Sequence, residues 1–421
     1  MTTRLARDAA DASALVVRTQ RVRDPGPLLQ LMPSADPLAW VRRSQGIIGW
    51  GVAAHVRITG ADRFAAAQDW WDSLTRHAVV RDDVQLPGTG LVTFGSFAFV
   101  DSGESTLVVP EVVVGHRMVD GEARWWVTTV TVGSIAGPVD LLPADAPAAP
   151  SGLTFADGAV SGAEWAHRVS LAVGRIACSP LEKVVLARDL FATASRDIDV
   201  RWPVQRLAAS YPSCWVYHVD GLFGATPEML VRRERGLVTS RVLAGTIRRT
   251  GDDEHDLALA GALARSSKDL EEHEYAVRSV ASALARHCSS MNVPETPFVL
   301  HLPNVMHLAS DVAGVGSDSA SSLLLAAALH PSAAVGGTPT DLAVATLREL
   351  ESMDRGRYAG PVGWMDADGD GEWGIALRCG VLSGARVRLF AGCGIVAGSD
   401  PEAELAEAQA KFIPVRDALG G

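Results

Sequence analysis

Short segments rich in β-branched and aromatic residues recur along this 421-residue chain, each closed by a turn, and that recurrence restricts the fold most. GIIGWGVAAHVRI, LVTFGSFAFV, STLVVPEVVVGHRMV and ARWWVTTVTV lie in residues 1–150, interrupted by one helical stretch at 62–77. A Pro/Ala-rich connection, LLPADAPAAPSG at 141–152, follows, and then helices and strands alternate. A helix at 161–178 leads to the strand KVVLARDL and a helix at 204–210. Strands are expected at CWVYHV, LFGATP, EMLVRRE and LVTSRVLAG, then one long helix from Asp252 to Cys288. GPVGWMDA, EWGIALRCGVL and RVRLFAGCGIV read as a late meander before a terminal helix. Its start is marked by Ser399 or Asp400 as N-cap, Pro401 in the first turn and Glu402 completing a capping box. Strands joined by tight turns must pair antiparallel, and interspersed helices must cover the sheet faces. The expected class is therefore α+β (mixed α/β), with extensive antiparallel sheets, helices packed outside, and residues 1–150 as a β-rich part of the same fold.

Composition narrows the function classes. The N-terminus mixes Arg and Asp before any apolar stretch, so no secretory signal is read there. The apolar run from Leu323 to Leu329 is far short of the roughly 18 residues of a membrane span. A cytoplasmic chain without membrane partners is expected. Its five cysteines form no CxxC pair, which argues against a zinc knuckle or disulfide framework. A net charge of −11 disfavours nucleic acid as a partner, because phosphate binding leaves a basic footprint. An anionic substrate would need local Arg, Lys or metal to outweigh that field.

Three motifs imitate binding sites. DADGDGE, starting at Asp366, resembles a calcium loop, but its twelfth position is Leu377 and its flanks are strands, so a hairpin turn is expected. GCGIVAG, from Gly392 to Gly398, has the wrong glycine spacing for a dinucleotide fingerprint. Glu272-His273-Glu274 resembles a zincin helix, yet Val277 stands where the second His belongs, leaving His273 as a helix-packing residue.

Two other helical segments each carry a pair of acids three residues apart, Asp269 with Glu272 and Glu404 with Glu407. Such pairs share one helix face and can converge on a hard cation such as Mg²⁺, although charged helical residues are more often solvated surface. Lys183 opens the apolar strand KVVLARDL. It is either a strand-end side chain reaching for solvent or, if burial lowers its pKa, a base. Glu228 in GATPEML sits between strands, as a turn residue or as a desolvated, protonated acid. Thr246 in LAGTIRR, His307 in NVMHLAS, Tyr358 and Arg378 put polar groups among apolar strands.

The ordered set LEKVVLAR, FGATPEML, LAGTIRRT, SSKDLEEHEYAV, LPNVMHLASDVAG, LHPSAAVGGTP, RGRYAGPVGW, IALRCG and AGCGIVAGSDPEAELAEAQAK resembles the chorismate-utilising enzymes. The resemblance spans roughly 178–415, which makes 151–421 the chorismate-binding catalytic region of a single large domain. It implies Glu272 and Glu407 as Mg²⁺ ligands, supported by Asp269 and Glu404, with the metal holding the ring carboxylate of chorismate. It implies that Arg378, Tyr358, Lys411 and backbone amides near Gly392 bind the enolpyruvyl carboxylate, with Thr246, His307 and Ala334 also lining the substrate. Cys393 departs from the family, which commonly has Ala there.

Three positions separate family members by the same resemblance. Lys183 stands where members that add water at C2 carry Lys. Ala244 replaces the nucleophilic Lys of aminodeoxychorismate synthases, which closes that route. Ala334 replaces the Thr of lyase-competent members. The implied reaction is that of an isochorismate synthase, with Lys183 as base and Glu228 as acid. A salicylate synthase, or a catalytically silent chorismate-binding subunit, stands as the alternative. A monomer or weak homodimer is implied, feeding menaquinone, siderophore or salicylate synthesis.

Overall fold

Two sheets gather the recurring strands, and each draws on both ends of the chain. The computed structural model describes residues 14–301, 305–317 and 320–420, apart from the side chains of Lys268 and Glu272. Among these residues one sheet has 13 strands. In it Lys183–Thr193 lies beside Arg386–Ile395, then come Cys379–Ser383, Leu222–Thr226 and Trp215–Val219, and the next neighbour is the N-terminal strand Leu38–Arg42. The second sheet has 10 strands, in which Val305–Gly316, Leu237–Arg248, Met229–Glu234, Gly371–Ile375, Pro361–Asp366 and Val92–Ser96 follow one another. Pairing is antiparallel, as the tight turns require, except where Leu15–Val22 runs parallel to Val79–Asp82. The helix Arg63–His77 precedes Val79 directly and supplies the crossover a parallel pair needs.

The core is heavily aromatic. Trp40, Trp71, Trp126, Trp165 and Trp373 are among its largest fully buried side chains. Truncating any one to Ala leaves a large void and costs about 3–5 kcal/mol. No helix among the described residues is long and apolar enough to cross a membrane.

Two helix expectations need correction. The single helix expected from Asp252 to Cys288 is two helices, Asp253–Leu263 and Ser267–Leu284, and Cys288 already belongs to the strand Cys288–Asn292. Ser266 makes the break: its hydroxyl oxygen accepts the amide of Asp269 at 3.3 Å and starts a new helix. At the terminal helix Pro401–Leu419 the cap is Asp400, which accepts the amide of Ala403 at 2.9 Å. With Asp400 as cap, Glu402 is one position too early to close a capping box. Ser399 instead donates its hydroxyl to Glu404 Oε1 at 2.7 Å.

The hairpin expected at DADGDGE is present between Pro361–Asp366 and Gly371–Ile375. Asp366 Oδ1 accepts the amides of Asp368 and Asp370 at 3.1 and 3.0 Å, so the acids form a turn. His273 is buried, with Nε2 2.8 Å from Ser310 Oγ, in keeping with a packing role.

Candidate active site

A glycine with positive φ shapes one wall. In the strand Leu237–Arg248 the register slips between Ala244 and Thr246, and Gly245 takes φ +77° at the bulge. A side chain at Gly245 would also meet the Cβ of Asp269 at 3.1 Å, which places Asp269 against the bulge. Beyond the bulge Thr246 faces His307, and Thr246 Oγ1 lies 2.9 Å from His307 Nδ1. Burial pushes the imidazole down to about 4, helped by the nearby charges of Arg378 and Lys411. The ring is therefore neutral near pH 7, and its buried Nε2 has no hydrogen-bond partner among the described residues.

The strand Arg386–Ile395 carries two close approaches. A Cβ on Gly392 would stand 2.9 Å from the Leu186 carbonyl oxygen and 3.0 Å from the Tyr358 hydroxyl. A Cβ on Gly394 would stand 2.7 Å from Lys183 Cε. At Gly392 a backbone oxygen leaves no room for a side chain, whereas at Gly394 the obstacle is the far end of the flexible Lys183 side chain. Tyr358 stacks on Phe390 at 5.2 Å, and burial raises its hydroxyl pKa above the ordinary range. Arg378 has φ +46°, a left-handed backbone that re-aims its side chain. Its guanidinium is within electrostatic reach of Tyr358, Cys393 and Glu407, and makes no ion pair among the described residues.

Glu228 follows the strand Leu222–Thr226 and is 8% exposed. Burial pushes its carboxyl up to about 7, and the positive charge of Lys183 opposes that rise. The two chemistry-bearing residues singled out between sequence positions 183 and 228 thus lie within electrostatic reach of each other. Glu228 and Ala334 also share the wall of a cavity of about 300 Å³, which Ser240, Val242, Ala276 and Val280 complete. Lys183, Arg378 and Lys411 are not on that wall, so the cavity reaches Glu228 but not these three cations.

The carboxylates gather at the terminal helix. Ligand atoms of Cys393, Glu404 and Glu407 lie within 4.8 Å of one another. Burial raises the Glu404 carboxyl, and the neighbouring Glu407 adds to the rise. Burial pushes Glu407 up too, but Lys411 and Arg378 outweigh it and hold that carboxyl below its usual range. Lys411 Nζ donates to Glu407 Oε1 at 2.7 Å and to the Gly392 carbonyl at 2.8 Å.

The Cys393 thiol is pushed up to about 12 by burial and stays protonated, which leaves the carboxylate oxygens as the charged donors. Two mutually repelling carboxylates with no thiolate between them fit a hard divalent cation better than a soft one. Asp269 stands outside this cluster, its carboxylate accepting the Ser266 hydroxyl. The side chain of Glu272 lies outside the described residues.

The structure thus places Thr246, His307, Tyr358, Arg378, Gly392, Glu407 and Lys411 around one region, and Lys183, Glu228 and Ala334 around the adjoining one. Cys393 enters the cluster without a sequence signal beyond its difference from the family's usual Ala. Glu351 and Arg355, a buried pair behind Lys183, had only an i,i+4 spacing to mark them.

A family model described as chorismate binding enzyme matches residues 13–120 and 143–420. The isochorismate synthase MenF of Bacillus subtilis (strain 168) is 37% identical over 262 residues, 61% of this chain and 56% of that protein. The salicylate biosynthesis isochorismate synthase of Pseudomonas aeruginosa is 32% identical over 440 residues, covering 98% of this chain and 91% of that protein. Among solved structures, the menaquinone-specific isochorismate synthase MenF from Escherichia coli superposes with a TM-score of 0.78 at 25% identity, covering 97% of this chain and 95% of that one.

Proposed function

The chain belongs to the chorismate-binding enzyme family, and within it we propose that this protein is an isochorismate synthase. The observation that carries the reading is Glu228: a buried carboxyl held up to about 7, within reach of the charge of Lys183, on the wall of a ligand-sized cavity. That is a paired acid and base, which adding one hydroxyl and expelling another requires.

In this proposal Lys183, in its amine form, takes a proton from a water molecule as the water oxygen bonds to C2 of chorismate. The ring double bonds shift, and the C4–O bond breaks as Glu228 delivers its proton to the departing hydroxyl. Water is consumed and released, so the conversion is a net isomerisation and runs in both directions. Arg378 and Lys411 hold the enolpyruvyl carboxylate, with Tyr358 and the backbone at Gly392 closing that side and Thr246 and His307 flanking the ring. Lys411 is already bonded to Glu407 and Gly392, so it can serve the substrate only with the donor capacity left over.

Glu272 and Glu407, with Asp269 and Glu404 in support, would hold Mg²⁺. When bound, the metal would neutralise and orient the ring carboxylate of chorismate. The reading also assigns the chain to the cytoplasm, as a monomer or weak homodimer with one small-molecule partner, chorismate. The N-terminal strands are assigned to the same fold, as an integral part of the sheets that carry the site.

The test is chromatography of products after incubating the purified protein with chorismate, first with Mg²⁺ and then with EDTA. Metal-dependent isochorismate without pyruvate supports the proposal. Salicylate together with pyruvate would instead identify a salicylate synthase and show that Ala334 does not block elimination. Binding without turnover would point to a silent subunit.

A further inference from the structure

Behind the strand that begins with Lys183 lies a buried ion pair that the proposed chemistry does not use. The side chains of Arg355 and Glu351 are 3% and 7% exposed. Arg355 Nε donates to Glu351 Oε2 at 2.8 Å and Nη2 to Oε1 at 2.6 Å, a two-point pair with little rotational freedom. Its remaining donors reach two backbone segments. Nη1 donates to the Val335 carbonyl at 2.9 Å, and Nη2 also donates to the carbonyl of Val185. Glu351 Oε1 in turn accepts the amide of Ala187 at 2.7 Å.

The two segments joined in this way carry site residues. Val185 is two residues from Lys183, and Val335 adjoins Ala334. Backbone bonds between the segments, Val185 N to Gly336 O at 3.0 Å and Glu182 N to Thr338 O at 2.9 Å, flank the same junction. The guanidinium also sits 4.2 Å over the Phe99 ring, and the Arg355 carbonyl accepts the amide of Tyr358 at 3.0 Å. The side chain therefore ties the base's strand to the loop of Ala334, while the backbone carbonyl of the same residue holds the turn leading to Tyr358.

We infer that Arg355, locked by Glu351, is a positioning residue that sets where Lys183 stands relative to Glu228 and to the cavity wall at Ala334. The guanidinium suits this task because its planar fork serves a carboxylate and two carbonyls at once. A Lys in its place keeps the charge and loses the fork. The inference rests on the assignment of Lys183 and Glu228 as base and acid.

The experiment is steady-state kinetics of Arg355→Lys across pH, beside wild type, with the folded fraction of each protein measured by thermal denaturation. Lys183 shifted from its place is expected to lower kcat by about tenfold to a hundredfold, the range that small misplacements of reacting groups produce. KM should stay within about twofold of wild type, because the carboxylate-binding end at Arg378 and Lys411 is untouched. The acid limb of the pH profile should move to higher pH, since Glu228 loses part of the opposing charge of Lys183. The other ionisable groups on that cavity wall, Arg241, His330 and Asp341, are unchanged in the variant.

A folded Arg355→Lys protein with wild-type kcat, or one whose activity loss only follows its folded fraction while the limb stays put, overturns the inference. If Arg355→Lys does not fold, Glu351→Gln is read by the same criteria, because it keeps an acceptor for Ala187 and Arg355. A wild-type control that makes no isochorismate would refute the assigned reaction instead, and so separates the two failures.

Discussion

Thr246 Oγ1 and His307 Nδ1 lie 2.9 Å apart because a bulge at Gly245 brings these two residues opposite each other on neighbouring strands. The Gly245 carbonyl also bears on this ring, but where the Thr hydroxyl donates to Nδ1 the single N–H of the neutral ring is on Nε2, a buried donor with no partner among the described residues. A substrate oxygen would satisfy it. Removing the donor, as in His307→Ala, is expected to lower kcat/KM by about 5- to 150-fold, equivalent to the roughly 1–3 kcal/mol of an unmet buried hydrogen bond. Thr246→Val, which frees the tautomer, should give a smaller loss in the same direction. Unchanged kcat/KM in His307→Ala would remove this residue from the site.

The pH profile follows from proton count. The working state of the pair has one proton, on Glu228, and none on Lys183. Glu228 titrates at about 7, so raising the pH through that value takes one proton from the pair, and the working arrangement is the minor form of the one-proton state in which that proton sits on Glu228. kcat/KM should therefore rise as pH climbs through about 7 and fall where the last proton leaves, both limbs belonging to the pair. A profile that only falls through 7 would contradict the assignment of roles.

Glu228→Gln separates chemistry from stability. Loss of the acid should remove about 10² to 10⁴ in turnover. The folded-state pKa of Glu228 is raised from 4.5 to about 7, so its favourable linkage is complete below about 4.5 and is lost as pH rises through about 7. Above that pH the buried charge costs the wild type up to about 3 kcal/mol relative to a neutral isostere. Denaturation midpoints should show Glu228→Gln gaining on wild type between pH 4.5 and 7 and holding a constant lead above. A lead that does not grow with pH would mean Glu228 is solvated.

The sheets and most helices are legible in the sequence because alternation, turns and caps are local signals. Ser161 caps its helix by accepting the amide of Glu164 at 3.2 Å, where the sequence places a helix start. The break at Ser266 has only a short local mark, the cap Ser266 with Asp269 three residues on, and a reading by periodicity runs straight through it. The helix Thr340–Leu350 likewise has a weak local mark, since it begins after Pro339 without a side-chain cap. Site residues were legible as types in a familiar order, whereas their meeting depends on sheet register. Thr246 and His307 are 61 residues apart, and no local pattern says that they face each other. Spacing alone marks Arg355 and Glu351 as a pair in the sequence, and only their burial just past the helix Thr340–Leu350 reveals what they hold.

Gly392→Ala tests the tight side of the site. The added methyl would meet the Leu186 carbonyl at 2.9 Å and the Tyr358 hydroxyl at 3.0 Å, so strand or ring must move. A destabilisation of about 1–3 kcal/mol is expected, as for overpacking elsewhere, with a rise in KM from the displaced Tyr358. Wild-type stability and KM would show that the strands yield more easily than their backbone pairing suggests.

The most direct test of the proposed reaction is mass spectrometry of isochorismate formed from chorismate in ¹⁸O-labelled water with Mg²⁺. Attack of solvent at C2 with loss of the C4 hydroxyl requires isochorismate carrying one solvent oxygen, located at C2. Unlabelled isochorismate would mean that the hydroxyl migrates within the ring, leaving Lys183 without a water to activate, and absence of any isochorismate would contradict the assigned activity outright.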